Sequence, residues 1–348
     1  SDIDNDGWPD LVLAGEWMPF TVFRNDKGIL KNISSGTGLG DRTGWWNSIV
    51  AGDFDNDGDI DYVVGNLGLN SFYRASPERP VRVYGKDFDD NGVYDMLTSL
   101  YLPDQKGQLR EFPAMGRDDL LRQMNSMRKK FPAYRDYAVA TMDDVLTPGQ
   151  RKGATILSAN EMRSCLFRND GGGKFTMVPL PMEAQVSAIN GMVAGDFDGD
   201  GNLDIVINGN DFGTDVSTGR YDALDGLLLK GDGHGGFLPA SILQSGIFIP
   251  GDGKALVALR GAGGHYLLAA GQNRGDLKLY RRRTDARQVP LMPSDAGALV
   301  RLRDGRTRRE EYYYGESYLS QSARFLDWSG PIVSVELIDD RGKRRLVR

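Results

Sequence analysis

The sequence predicts an all-β chain, a β-propeller of four-stranded antiparallel blades with a small helical insertion and a small C-terminal β module. Three observations carry that expectation. An acidic fourteen-residue unit recurs four times, a strand, turn and strand element recurs three times, and the apolar runs are of strand length. Self-similarity spaced by about 40 to 55 residues is the mark of blades or stacked repeats, whose radial arrangement limits exposed sheet edges.

The acidic units read DIDNDGWPDLVLAG from Asp2, DFDNDGDIDYVVGN from Asp53, DFDDNGVYDMLTSL from Asp87 and DFDGDGNLDIVING from Asp196. The second element reads FRNDKGIL from Phe23, FRNDGGGKF from Phe167 and LKGDGHGGF from Leu229, each a strand, a glycine-rich hairpin turn and another strand. A fifth, degenerate unit spans 254–280 and lacks the aspartates, so no ion is expected there. The first unit is entered halfway, as in a fragment of a longer protein, and closure is expected to need sequence upstream of Ser1. Blades are expected over 1–293, interrupted at about 103–150 by helices. In that insertion Leu120, Leu121, Met124 and Met127 share one face, and a second helix is expected between Tyr137 and Leu146, stopped by Pro148. Residues 294–348 alternate as short strands and form the C-terminal module.

The chain has 348 residues, 40% hydrophobic and 26% charged, with a net charge of −6, which is the composition of a globular protein. The acidic balance does not favour nucleic acid or anionic lipid, and no apolar run approaches the ~18 residues of a membrane span. A single cysteine, Cys165, excludes an internal disulfide and reads as a buried strand residue. Two histidines, His234 and His265, leave little for a His-based zinc site or triad.

Within each unit, oxygen ligands stand at positions 1, 3, 5 and 9, with glycine at position 6. The four predicted sites are Asp2, Asp4, Asp6 and Asp10; Asp53, Asp55, Asp57 and Asp61; Asp87, Asp89, Asn91 and Asp95; and Asp196, Asp198, Asp200 and Asp204. Carboxylates crowded in this way repel one another unless protonated or balanced by a cation. An all-oxygen donor set selects a hard ion, Ca²⁺ first and Mg²⁺ second. The spacing matches an EF-hand loop through position 9. It departs at position 12, where Leu13, Val64, Thr98 and Ile207 replace the bidentate Glu. The fourth side-chain ligand is therefore expected from position 9.

On these motifs the sequence resembles the FG-GAP/VCBS repeat family of calcium-binding β-propellers, also seen in the heads of integrin alpha subunits. The segments GRYDALDGLLLKGDG and GESYLSQSARFLDW are similar to bacterial VCBS-repeat proteins related to cartilage acidic protein. There the propeller is followed by an ASPIC/UnbV-type module, marked here by SYLSQS at 317–322. The resemblance implies an exported, extracytoplasmic, non-catalytic protein for adhesion, ligand binding or scaffolding. Its partner would be a glycan or protein ligand at the cell surface.

Such a ligand is expected at loops on one mouth of the propeller, at Trp45, Trp46, Asn66, Asn70, Asn210, Asp211, Arg220 and Tyr221, with the alternative that the two tryptophans pack between blades. The rival class is a propeller-type polysaccharide lyase or glycoside hydrolase. Its carboxylate pairs are already committed to the cation loops, where a cation lowers a carboxyl pKa rather than raising it as an acid catalyst requires. The RGD of Arg274 to Asp276 reads as a hairpin turn rather than an integrin-type ligand.

Overall fold

The structure is a computed structural model that describes residues 1–216, 218–284 and 286–347. Strand pairing is antiparallel throughout the sheets, giving an all-β fold with a helical segment on one sheet. The first acidic loop leads into a three-stranded sheet ordered Leu11–Leu13, Thr21–Asp26, Ile29–Asn32. The second sheet runs Ser48–Gly52, Asp61–Gly65, Cys165–Asn169, Phe175–Pro179. Another four-stranded sheet runs Ile189–Gly195, Asp204–Gly209, Leu227–Gly231, Phe237–Ala240. The degenerate unit forms three strands, Gly253–Arg260, Tyr266–Gln272 and Lys278–Arg281, with Arg274 at φ +57° in the connecting turn.

The second sheet revises the expected order of units. Its second strand, Asp61–Gly65, pairs with Cys165–Asn169, almost a hundred residues later in the chain. Everything between is an excursion, and it contains the Asp87 unit in a sheet of its own, ordered Leu109–Pro113, Asp95–Pro103, Val81–Lys86, Thr155–Ala159. The repeat pattern alone could not reveal this, because a hydrogen-bonded register is blind to sequence distance.

The helices of the excursion are shorter than expected. One helix covers Arg117–Gln123 and gives way to a 3₁₀ turn over Asn125–Arg128, yet Leu120, Leu121, Met124 and Met127 are all buried. In place of one helix between Tyr137 and Leu146 there are two single turns, Tyr134–Tyr137 and Met142–Val145. Pro148 starts a helix rather than stopping one. It sits at the first helical position behind the Thr147 cap, where its missing N–H costs nothing.

Cores form between neighbouring sheets. Val63, Leu166, Ile189 and Ile205 join the second sheet to the one after it, and Val193, Val206, Leu256 and Leu268 continue to the three-stranded sheet beyond. The first strands of these three sheets, Ser48–Gly52, Ile189–Gly195 and Gly253–Arg260, lie in a row.

The C-terminal module packs on this row. Its main sheet runs Thr307–Glu311, Asp295–Leu302, Ile332–Asp339, Arg344–Val347, and a ribbon pairs Phe325–Trp328 with Arg287–Pro290, which lies ahead of the expected start at 294. Between Thr307–Glu311 and Phe325–Trp328 the chain runs along the three first strands. Ser317 donates its backbone N–H to the Ile49 carbonyl, and the Ser320 and Ser322 hydroxyls accept the N–H groups of Leu256 and Ala258. Ser317 and Leu319 hold left-handed φ values of +59° and +48°, a conformation that non-glycine residues keep only where their surroundings enforce it.

Candidate metal loops and ligand face

Each acidic loop is wound around its own first aspartate. Asp53 accepts the N–H groups of Asp57 (3.1 Å) and Gly58 (3.2 Å), Asp2 those of Asp6 and Gly7, and Asp87 those of Asn91 and Gly92. The Asp196 loop is a variant, taking Gly199 and Gly201. This winding needs two left-handed residues. Position 6 is glycine in every copy (φ +86° to +95°), while position 4 is Asn5, Asn56, Asp90 or Gly199, residue types that tolerate that region. At position 2, Ile3, Phe54 and Phe88 bury their side chains, which is how an acidic turn can sit directly against core.

Winding gathers the carboxylates. Oxygens of Asp2, Asp4 and Asp6 lie within 4.8 Å of one another, as do those of Asp53, Asp55 and Asp57; of Asp87, Asp89 and Asp95; and of Asp196, Asp198 and Asp204. Asp10, Asp61 and Asp200 stand outside their groups. Asn91 and Asp200 accept the N–H groups of Val93 and Asn202, as Asp6 and Asp57 accept those of Trp8 and Asp59.

Position 9 emerges as a clasp. Asp61 accepts the Phe54 N–H (3.0 Å) with one oxygen and the Asn169 N–H (2.7 Å) with the other, tying the loop to the neighbouring strand. Asp10 does the same with Ile3 and Asn25, and Asp204 with Phe197 and Gly231. The third loop lacks half of this clasp. Asp95 takes the Phe88 N–H, but its Oδ1 is buried without a partner. Its next strand pairs only from Pro113 opposite Ser99 outward, so no N–H arrives beside Asp95.

The sequence reading missed the asparagine of the FRN motif. Asn25 donates its amide to the Pro9 carbonyl of the loop beside its strand (2.8 Å), while Asn169, beside the Asp53 loop, donates to the Ile60 carbonyl of that loop (3.4 Å) and to the Ile3 carbonyl of the first loop (3.0 Å). The recurrence of FRN beside two loops was the available signal. In the fourth loop Gly231 replaces it, and a Cβ there would lie 2.1 Å from the Leu203 carbonyl oxygen. Truncating Asn169 to Ala is expected to cost about 1–2 kcal/mol, read as a lower unfolding midpoint.

Electrostatics favour a cation. Burial pushes the carboxyl of Asp61 up to about 8 and those of Asp53 and Asp204 up to about 7, against backbone hydrogen bonds that pull them down. Asp10, Asp55, Asp95 and Asp196 are also raised, chiefly by burial. Charges ~5 Å apart repel by roughly 3 kcal/mol per pair at an effective dielectric near 20. Arg24 on Asp4 (2.7 Å) and Lys230 on Asp198 (3.0 Å) offset part of this from outside. Inside, Oδ1 of Asp4, Asp89 and Asp95 remain buried without a hydrogen-bond partner. Unpartnered buried oxygens in an oxygen-only donor set fit a hard divalent ion, and the acidic groups are placed to hold one.

The expected ligand residues divide. Three of them are corrected by burial. Trp46 is 2% exposed, with its ring against Phe167 and its indole N–H on the Met18 carbonyl. Asn66 and Asn210 are fully buried and spend their amides on backbone, at Glu161 and Arg163 and at Leu224 and Gly251. Trp45 is half-buried, edge-on to Trp17 and Tyr73. Asn70 and Arg220 are exposed, Arg220 lying over the Phe212 ring, and Asp211 and Tyr221 form a two-residue bridge. Trp45 packs on Tyr73, which lines a cleft of about 360 Å³ together with Asp119, Arg122, Gln123 and Thr218 among others; the remaining expected ligand residues do not line it. Exposed Phe72 stacks on Tyr73 at its edge, ring centroids 4.2 Å apart.

No helix among the described residues is long and apolar enough to cross a membrane. No curated protein matches the chain. The family model for the FG-GAP-like repeat matches residues 2–64 and 154–207, about a third of the chain. The gap between the two matched stretches falls on the excursion that separates Asp61–Gly65 from Cys165–Asn169. The chain therefore carries FG-GAP-like repeats, and the matches support the FG-GAP repeat family.

Proposed function

We propose that this is a non-catalytic, extracytoplasmic ligand-binding or adhesion protein whose four acidic loops hold structural calcium ions. The observation that carries the reading is the gathering of three carboxylates within 4.8 Å in all four loops, with unpartnered buried oxygens in the Asp2 and Asp87 loops. Carriers of FG-GAP repeats are typically extracellular or exported, which agrees with calcium as the ion, since it is abundant outside the cytoplasm. Calcium would be held by Asp2, Asp4 and Asp6; Asp53, Asp55 and Asp57; Asp87, Asp89 and Asp95; and Asp196, Asp198 and Asp204, with a full position-9 clasp fixing the Asp2, Asp53 and Asp196 loops and half of one the Asp87 loop. The C-terminal sheet is read as the ASPIC/UnbV-type module, on the strength of SYLSQS.

The ligand is a surface glycan bound in the cleft beside Tyr73. Half-buried Tyr73, with exposed Phe72 stacked on it, lies in a cleft lined also by Asp119, Arg122 and Gln123, which together offer an aromatic surface and hydrogen-bonding groups. Against a glycan panel, Tyr73→Ala is expected to weaken binding about tenfold, the size of a lost aromatic contact. Binding unaffected by that change removes the cleft from the reading. A calcium titration with no heat and no bound metal removes the ion.

A further inference from the structure

The three acidic loops outside the excursion stand edge to edge. Asn5 of the first donates to Asp59 of the second (2.5 Å), and Asn56 of the second donates to Asn202 of the fourth (3.3 Å). Across them lies Thr307–Glu311 of the C-terminal module. The Arg309 N–H donates to Asp53 Oδ2 (2.8 Å) and its guanidinium to Asp2 Oδ2 (3.0 Å), while Glu311 accepts the Asp2 N–H (3.0 Å). Arg308, 2% exposed, donates to the Gly201 carbonyl (2.5 Å), and Arg306 to the Asn202 amide oxygen (2.7 Å). The residues that follow, 312–323, reach along the first strands of three sheets. There the Ser317 hydroxyl accepts the Met192 N–H (2.6 Å) and donates to the Asn190 carbonyl (3.1 Å).

These contacts read the shape of the loops. Arg309 and Arg308 meet a carboxylate oxygen of Asp53 and a carbonyl of Gly201, whose positions depend on the loops being wound. The Asp87 loop is different. It has Ser126 of the excursion on Asp89 (3.4 Å) and, among the described residues, no hydrogen bond to the C-terminal module.

We propose that the C-terminal module is a calcium-dependent cap: ions in the Asp2, Asp53 and Asp196 loops hold it against the sheets, and its docking tightens those three sites and leaves the Asp87 site alone. The inference rests on the calcium reading above. Linkage makes it reciprocal, since a ligand that favours the docked state must itself be favoured by docking. Undocking opens the cavity of about 150 Å³ between module and sheets, lined by Tyr266, Arg282, Glu316 and Arg324 among others.

Two measurements on the full chain decide it. In deuterium exchange, chelating calcium is expected to expose 307–311 and 317–323 while the strands Asp61–Gly65 and Asp204–Gly209 stay protected. The variant Ser317→Ala, Ser320→Ala, Ser322→Ala removes docking hydroxyls that touch no acidic loop. In a calcium titration its three-site phase is expected to weaken by about five- to hundredfold. The remaining site, identified by its loss in Asp87→Asn with Asp89→Asn, is expected to keep its affinity. Wild-type protein that takes up no calcium overturns the reading beneath. Wild-type protein that takes up calcium, but whose 307–311 and 317–323 stay protected after chelation or open only together with the strands, overturns the cap. Unchanged or tighter affinity in the serine variant also overturns it, and should that variant not fold, the wild-type exchange result stands alone.

Discussion

Asp61→Ala is expected to destabilise the second sheet by about 3–5 kcal/mol. Asp61 is fully buried, and its two oxygens accept the Phe54 and Asn169 N–H groups. Alanine leaves both donors buried and unpaired, at about 1–3 kcal/mol each, and opens the loop from its neighbouring strand. Asp95→Ala provides the internal comparison, because Asp95 accepts only the Phe88 N–H and its other oxygen has no partner. Its cost is expected at about half that of Asp61→Ala. A chain of this size need not unfold in one step, so the comparison belongs to local opening energies from hydrogen exchange in chelator, where the loss of Asp95 as a calcium ligand does not enter. Equal losses at the two positions would show that the clasp is not what position 9 contributes.

The second large effect is the response to pH with and without calcium. Asp61 titrates near 8, and Asp53 and Asp204 near 7, because burial penalises their charged forms. Unfolded, they titrate near 4. A carboxyl raised in this way contributes stability that is fully present below its unfolded pKa and is lost as pH rises through its folded pKa. Metal-free protein is therefore expected to lose several kcal/mol between about pH 5 and pH 8, since each group that ionises more readily unfolded than folded costs about 1.4 kcal/mol for every pH unit crossed between its two pKa values. Calcium balances the carboxylates once they ionise, so the gain in melting temperature on adding calcium is expected to grow from pH 5 to pH 8. Differential scanning calorimetry at both pH values, in chelator and in millimolar calcium, measures it. A calcium effect that is constant, or larger at the acidic end, would refute the charge argument.

Much of the local structure was legible in the sequence because the chemistry that makes it is local. The spacing of acids and glycine in residues 53–61 encodes a wound loop, since each carboxylate reaches N–H groups within a few residues of itself. Buried helix positions such as Leu120 and Met124 followed from a 3.6-residue period, which is also local. Helix ends were less legible, because Pro148 can stop one helix or start another and only the Thr147 cap decides which. The ligand face was least legible. Trp46, Asn66 and Asn210 are the residue types that bind glycans, but also the types that fill a core or satisfy buried backbone, and burial assigned them to the second role.

By itself the sequence determined the strands, the four acidic turns and the residues that wind them. The tertiary structure decided which strands pair, making the Asp87 unit part of an excursion inside the second sheet. It decided that position 9 is a clasp with one incomplete copy, at Asp95. It also decided that Thr307–Glu311 lies across three of the four loops. The reason is the range of the forces. A loop closes on hydrogen bonds between neighbours in the chain, whereas strand partners, buried amides and the Arg309 to Asp53 contact join residues far apart in sequence. No spacing in the sequence records those distances, and folding alone sets them.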